Sequence, residues 1–532
     1  MLGRFHGRVN AATLCCDRHC GARRPALIYE QADGQSRTIS FEALRDQSSR
    51  VANVLMAHGV QPGDRVAGLL PRVPELLAII LGVWRVGAVY QPLFTAFGPK
   101  AIEQRLNQSG AKLVVTNKTY REKLCGIQTS AQIATFTEAK NQTLPEGDVD
   151  FQAEMNRAQT RFQAVPRQLD DPFLIMFTSG TTGAAKPLLA PLKAIVAFVG
   201  YMRDAVDLRP KDKFWNIADP GWAYGLYYAV TGPLAMGHAT LFYDGGFTAE
   251  STVRVIKKHA ITNLAGSPTA FRLVMAAGAP AVAGIKGQLR AVSSAGEPLN
   301  PEVVRWFGEH LDVAIYDHYG QTELGMVVCN HHRLRHDVHL GAAGFAVPGH
   351  RVVVVDSELR ELAPGLPGTL ALDRRASPLM WFKGYEGVST SALQGNYYLS
   401  GDTVELNQDG SISFVGRADD VITSAGYRIG PFEVESALLE HPAVIEAAVV
   451  GKPDAERTEI VKAFVVLAGD TQASPALAEE LQTYVRKRLS AHAYPREVEF
   501  IAALPKTPSG KIQRFLLRNQ ETAKIQTERQ HT

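Results

Sequence analysis

The chain has 532 residues, 45% of them hydrophobic, so it exceeds one ordinary core and holds apolar material for at least two globular domains. Its 56 Lys and Arg stand against 53 Asp and Glu, which excludes the basic excess of a nucleic-acid binder and leaves small-molecule chemistry. Five cysteines form no disulfide framework; Cys15, Cys16 and Cys20 crowd near His19, but adjacent cysteines match no zinc spacing, and the run reads as helix.

The amino terminus carries Arg4, Arg8, Arg18, Arg23 and Arg24 with only Asp17 and lacks the apolar core of a secretion signal. Despite a faintly transit-like composition, it reads as mature cytoplasmic protein. From Ala26 the pattern alternates: strand 26–29, helix 41–58, strand 65–70, an apolar helix 75–86 and strand 112–116. The polar stretch 141–168 reads as an irregular approach to a buried strand at 174–177.

Behind that strand comes Phe177-Thr178-Ser179-Gly180-Thr181-Thr182-Gly183-Ala184-Ala185-Lys186-Pro187. A polar run at a strand's carboxyl end stands where open α/β sheets bind ligands. Gly180 and Gly183 let backbone N–H groups approach an anion, the hydroxyls of Thr178, Ser179, Thr181 and Thr182 add donors, and Lys186 adds charge. The run reads as a phosphate-gripping loop, but not a Walker loop, because the lysine stands three residues after Gly183 and Pro187 follows it.

The rhythm continues with strands 213–218 and 239–243, helix 251–259, strand 261–264 and a helix opened by Pro268. Residues 220–243 contain no Asp, Glu, Lys or Arg, yet Gly225, Gly232-Pro233 and Gly237 cut them into short pieces, so no membrane span is predicted. Ser293-Ser294-Ala295-Gly296-Glu297-Pro298 precedes a helix start at Asn300-Pro301. Tyr316-Asp317-His318-Tyr319-Gly320-Gln321-Thr322-Glu323 combines aromatics for a purine or acyl face with a hydroxyl and a carboxylate for phosphate and magnesium. Residues 377–382 are apolar and silent.

In Ser400-Gly401-Asp402-Thr403 a lone aspartate suits two vicinal ribose hydroxyls. Gly416-Arg417-Ala418-Asp419-Asp420 follows, and beyond it short strands and helices 431–440 and 475–489 outline a small α+β unit. Gly426-Tyr427-Arg428 and Pro505-Lys506-Thr507-Pro508-Ser509-Gly510-Lys511 complete the set.

Five separated motifs in this order resemble the adenylate-forming superfamily of acyl-CoA synthetases, peptide-synthetase adenylation domains and beetle luciferases. Asp-Pro-Gly-Trp at 219–222 and Gly-Glu-Pro at 296–298 look like the branch of acetyl-CoA and medium-chain acyl-CoA synthetases. Leu188-Leu189 departs from a more polar pair in many relatives. The resemblance implies a large α/β domain of doubly wound sheets with helices and a small β-barrel-like part, residues 1–418. A small mobile α+β domain, residues 419–532, would follow. It further implies ATP, Mg2+ and coenzyme A, with a small carboxylic acid as substrate, no nucleic acid, and room for a homo-oligomer.

Carried over residue by residue, Gly296, Glu297 and Pro298 line the adenine pocket, and Asp317, His318, Tyr319 and Gln321 belong to the nucleotide site. Thr322 touches the α-phosphate and Glu323 the metal. Asp402 holds ribose, Arg417 contacts ribose and phosphate, and Asp419 is the hinge. Gly426 lets the pantetheine arm pass, Arg428 lies near the phosphates, and Lys511 is the catalytic lysine, with Lys186 supporting the phosphate loop. Trp222, Ala223, Tyr224, Ala295 and Gly320 line the acid pocket. In acetyl-specific relatives a tryptophan stands at the place of Gly320 and valines at those of Ala223 and Ala295. A deeper pocket is therefore expected, for a medium-length, branched or aromatic acid, with acetate poor. The alternatives are a short-chain synthetase, or a non-catalytic ATP- or acyl-CoA-sensing homologue. A peptide-synthetase module is disfavoured by the short tail after Lys511.

Overall fold

The computed structural model describes residues 8–137, 144–178, 185–417, 419–424, 427–454, 457–469, 471–489, 492–507 and 512–530, with Arg428 and residues 525–530 described as backbone only. Helix starts follow local capping chemistry. The Ser40 side chain accepts from the Ala43 N–H at the head of Phe41–Ala57, and Asn300 accepts from the Glu302 N–H at the head of Pro301–Leu311. Helix Pro74–Val86 begins on proline and is buried on every face except Glu75, which is why its sequence is apolar without a period.

The first sheet runs, in spatial order, Lys186–Pro191, Pro172–Thr178, Val89–Pro92, Arg65–Leu69, Leu113–Asn117, Gln132–Phe136 and Val149–Asp150. Neighbouring strands are parallel except Lys186–Pro191, which returns antiparallel with Thr178 opposite Lys186. The order reverses around Arg65–Leu69, so the sheet is doubly wound. A second sheet carries the parallel strands Phe214–Asn216, Asn263–Gly266, Ala291–Ala295 and Ile315–Gln321. It continues antiparallel through Gly325–Cys329, Ala342–Ala346, Ile412–Arg417, Tyr397–Leu406, Pro367–Asp373 and Val352–Val355. The part expected to be barrel-like is thus an antiparallel extension of this sheet.

Past Asp420 a five-stranded sheet forms from Tyr427–Ile429, Ile422–Ser424, Thr458–Leu467, Val444–Asp454 and Glu497–Phe500. Helices Pro431–Leu439 and Pro475–Arg488 contribute Val434, Leu438, Leu481 and Val485 to its separate core. Fold class therefore agrees with the sequence reading.

One stretch differs from it. Residues 141–168 contain a helix, Phe151–Arg157, capped by Asp150, with strands Val149–Asp150 and Arg167–Gln168 beside it. Only Phe151 and Met155 of that helix are buried, a single i, i+4 pair that leaves too little apolar signal to read. The uncharged stretch after Pro220 folds as Ala223–Gly225, a π-helical turn Leu226–Thr231 and Gly232–Ala235, then strand Thr240–Asp244. Among the described residues no single helix is long and apolar enough to cross a membrane; Pro268–Ala276 and Ala279–Ile285 pass by length and composition together, across a bend of 109°.

Candidate active site

The carboxyl ends of the central strands of both sheets open on one cleft of about 1300 Å³. Thr178 and Lys186 reach it from the first sheet, Ala295, Gly296, Glu297 and Pro298 from the end of Ala291–Ala295, and residues 317–323 from the end of Ile315–Gln321 and the turn after it. Asp402, Arg417 and Asp419 close one side. The small unit supplies another wall with Glu435, Glu446, Thr507, Gln513 and Arg514.

Asp402 is 4% exposed. One oxygen accepts from the Tyr319 hydroxyl and, at 2.9 Å, from the Gln321 amide; the other lies 3.5 Å from an Arg417 Nη1. Gln321 is fixed in turn by the Tyr398 hydroxyl at 2.7 Å and by its own donation to the Ser400 carbonyl. Arg417 also reaches Asp419, on an exposed turn, at 3.3 Å. The charge-assisted bonds orient a carboxylate and a guanidinium toward the same space.

Glu323, 9% exposed, accepts at 2.5 Å from the Tyr385 hydroxyl, and the Lys186 ammonium lies 5.2 Å from the centre of the same phenol ring. Burial, with the Glu323 charge beside it, raises the Tyr385 phenol, so it stays a donor. Thr322 lines the cleft while its carbonyl accepts from Tyr227 at 3.1 Å. Glu297 is held by Thr269 at 2.9 Å and Arg272 at 3.2 Å, and Gly296 takes φ of +103°, a left-handed turn that lets the backbone leave its strand along the cleft wall. Burial pushes the Asp317 carboxyl up to about 7 against the N–H groups of Leu299 and His318. His318 spends both ring nitrogens on the Tyr201 hydroxyl and the Asn330 carbonyl, and burial holds it neutral, so it positions its strand rather than offering a free donor.

The expected acid end holds Trp222, Ala223 and Tyr224 beside Ala295. Trp222 packs at 5.2 Å on Phe94 and 5.3 Å on Phe97. Gly320 departs from the expectation. A Cβ there would lie 2.2 Å from the Gly325 carbonyl oxygen and 2.7 Å from the Met326 Cα, so glycine is demanded by the hairpin Ile315–Gln321 to Gly325–Cys329. Its missing side chain does not by itself deepen the pocket.

Ser179, Gly180, Thr181, Thr182, Gly183, Gly426 and Lys511 lie outside the described residues; Thr178 and Lys186 flank the first group, and Thr507 and Ile512 the last lysine, all four lining the cleft. Arg428 is placed only as backbone opposite Thr423. Sequence reasoning missed Tyr385, Tyr398, Thr269, Arg272 and Arg514. Arg514 sits 2.7 Å from Glu435 and 3.9 Å from Asp420. For Tyr385 the signal lay in the apolar run before it, where Trp381 and Phe382 are 2% and 4% exposed and the Phe382 ring packs at 5.2 Å on the tyrosine that meets Glu323. The Cys15 thiol is pushed up to about 12 by burial, which leaves it unreactive. Among the described residues no group of three His, Cys, Asp or Glu is placed to hold a metal.

Residues 16–385 match the family model described as AMP-binding enzyme, and residues 433–511 match that of the AMP-binding enzyme C-terminal domain. The acetyl-coenzyme A synthetase of Bacillus subtilis (strain 168) is 37% identical over 520 residues, 96% of this chain and 90% of its own. A mitochondrial acyl-coenzyme A synthetase of Homo sapiens, ACSM5, is 36% identical over 512 residues, 94% and 87% of the two chains. Among solved structures, a Brucella canis acyl-CoA synthetase is 60% identical with a TM-score of 0.79, over 97% of this chain and 95% of its own. The anthranilate CoA ligase AuaEII, in complex with anthranoyl-AMP, is 25% identical with a TM-score of 0.88, over 98% of each chain.

Proposed function

Because this chain belongs to the AMP-binding enzyme family and is an ATP-dependent, AMP-forming acid–CoA ligase, we propose how its own residues divide that reaction and which acids it takes. ATP and coenzyme A are its co-substrates. A carboxylate attacks the α-phosphate, pyrophosphate leaves, and the acyl-adenylate stays bound until the thiolate of coenzyme A displaces AMP. Asp402 and Arg417 hold the ribose, Glu297 and its neighbours the base, and Thr322, Lys186 and the loop 178–186 the phosphates. Lys511 stabilises the charge that grows during adenylation, when the small domain presents its loop. Residues 1–418 and 419–532 are the two moving parts, with Asp419 as hinge, and Gly426 with Arg428 admits coenzyme A in the second half. A homo-oligomer is compatible with this scheme.

The donor set fits Mg2+, which takes few protein carboxylates: Glu323, buried and with its orientation fixed by a hydroxyl, would hold the ion. Such an ion supplies charge neutralisation at the phosphate oxygens. Tyr385 holds Glu323 in place before any substrate arrives.

The acid is of four or more carbons, branched or aromatic. The observation that carries this is the half-buried Ala223, a small side chain lining the same cleft as the aromatic group of Trp222, Phe94 and Phe97. The relatives' names include acetyl-coenzyme A, acyl-coenzyme A and anthranilate ligases, which leaves the choice of acid to this chain's own pocket. Each buried methylene is worth about 0.8 kcal/mol, so two of them should favour butyrate over acetate by at least tenfold in kcat/KM. Pyrophosphate release, with and without coenzyme A, across acetate, propionate, butyrate, branched and aromatic acids measures this directly. A preference for acetate would overturn it.

A further inference from the structure

Among the described residues six arginines line the cleft, and five of them meet a carboxylate. Arg72 stands 4.0 Å from Asp219, Arg272 3.2 Å from Glu297, Arg417 3.5 Å from Asp402 and Arg514 2.7 Å from Glu435, and Arg518 pairs with Asp420. Arg105 is the sixth. It makes no ion pair among the described residues, although it is only 9% exposed and burial depresses its guanidinium below the usual arginine value. A buried charge without a counter-charge is costly. Its Nη1 donates at 2.8 Å to the Ala101 carbonyl of its own helix, Pro99–Ser109. Its Nε and Nη2 donate to nothing among the described residues, and neither is sealed from solvent. Two aromatic faces hold the group: its central carbon lies 4.2 Å from the middle of the Phe97 ring and 5.8 Å from that of Phe177. Phe177 stands directly before Thr178, where the loop 178–186 begins, and Phe97 packs at 5.3 Å on Trp222. The cation is thus next to both the head of that loop and the aromatic group at the acid end.

We propose that Arg105 is a phosphate-binding residue of this cleft, taking phosphate oxygens that ATP or coenzyme A brings. The proposal rests on the reading that this one cleft serves both half-reactions. A guanidinium meets two phosphate oxygens with paired N–H groups, and one already stacked on aromatic rings gives up little freedom when it does so. Contact with a ring face supports the cation but uses none of its N–H groups and cancels none of its charge. The other five arginines would have to release a carboxylate before taking a phosphate in full. Arg105 has no such pair to break, so its charge is available where negative charge arrives or grows on phosphate.

The test measures the two half-reactions apart on the full chain, as ATP–pyrophosphate exchange with the best acid of the panel above and as conversion of the supplied acyl-adenylate with coenzyme A. Parental activity in both assays fixes the reading of the cleft independently, so a change confined to a variant bears on Arg105 alone. Arg105→Met keeps an unbranched stem against Phe97 and removes the charge. It should raise the KM for ATP or the KM for coenzyme A by about tenfold or more and leave the other unmoved. A rise for ATP assigns the phosphate to the nucleotide; a rise for coenzyme A assigns it to the thiol carrier. Arg105→Lys keeps the charge and loses the paired N–H groups, so it should raise the same KM by a smaller factor, and it decides the matter should the methionine variant fail to fold. An arginine that only props up the wall would lower the melting temperature and the kcat of both half-reactions together, with both KM values at the parental level. That result, or parental KM values for both substrates in both variants, would overturn the proposal.

Discussion

Tyr385 shows what a single hydroxyl contributes at this site. Among the described residues its hydroxyl is the one hydrogen-bond partner of the Glu323 carboxylate, so Tyr385→Phe keeps the ring over Lys186 but frees the acid to turn. Acid-dependent ATP–pyrophosphate exchange should fall by about tenfold and need more Mg2+, the usual scale for a lost group that orients a metal ligand. An unchanged Mg2+ dependence would show that Glu323 needs no such support. Asp317 makes a pH-dependent claim. Burial raises its carboxyl from 3.8 to about 7, so the folded state binds this proton more tightly than the unfolded chain does. The native state therefore loses stability as pH rises through that interval, and Asp317→Asn, which cannot ionise, removes the loss. The melting temperature of the variant relative to the parent should climb from pH 3.8 to about 7 and then level off. A constant difference would mean that Asp317 ionises freely. Both residues bear on what the sequence reveals. Asp317 stands inside a motif, whereas Tyr385 does not, because its role depends on the burial of Trp381 and Phe382 and on a strand end more than sixty positions earlier in the chain.

In the hairpin from Ile315–Gln321 to Gly325–Cys329 a glycine that looks like pocket space in the sequence is a requirement of the strand pairing. The sequence places a small residue at 320, but only the antiparallel register shows that the Gly325 carbonyl occupies the space a side chain would need. Gly320→Ala should therefore lower the melting temperature by several degrees and reduce activity on every acid alike, because the clash is with backbone that has nowhere to go. A variant of parental stability would restore the open-pocket reading of this position. Specificity is better probed at Ala223, which precedes the π-helical turn Leu226–Thr231 and lines the cleft. Ala223→Val should cut kcat/KM on butyrate and longer acids while sparing acetate. Strands such as Arg65–Leu69 and Leu113–Asn117 are legible because each carries a short apolar run, and capped helices because their first residues are diagnostic. Phe151–Arg157 was not legible, being two turns long with one buried pair.

At the scale of the whole molecule, a small domain with its own core meets the large one across the cleft, and Arg305 lies 3.6 Å from Glu440 between them. The sequence reading puts that division near Asp420, where the alternating α/β pattern stops; the residues that line the facing wall, such as Glu435 and Arg514, are visible only in the folded chain. If the domains alternate, Asp419 must change its backbone dihedrals, and proline would restrict φ to one narrow range. Asp419→Pro should complete adenylation and stall before thioester formation; steady-state acyl-CoA output at the parental rate would remove Asp419 from the hinge. The central claim, that one cleft serves two half-reactions through exchange of small-domain loops, is tested most directly by Lys511→Ala. Its pyrophosphate release from ATP and acid should be abolished, while its conversion of supplied acyl-adenylate and coenzyme A to acyl-CoA should proceed at the parental rate. Equal loss of both half-reactions, or retention of both, would contradict it.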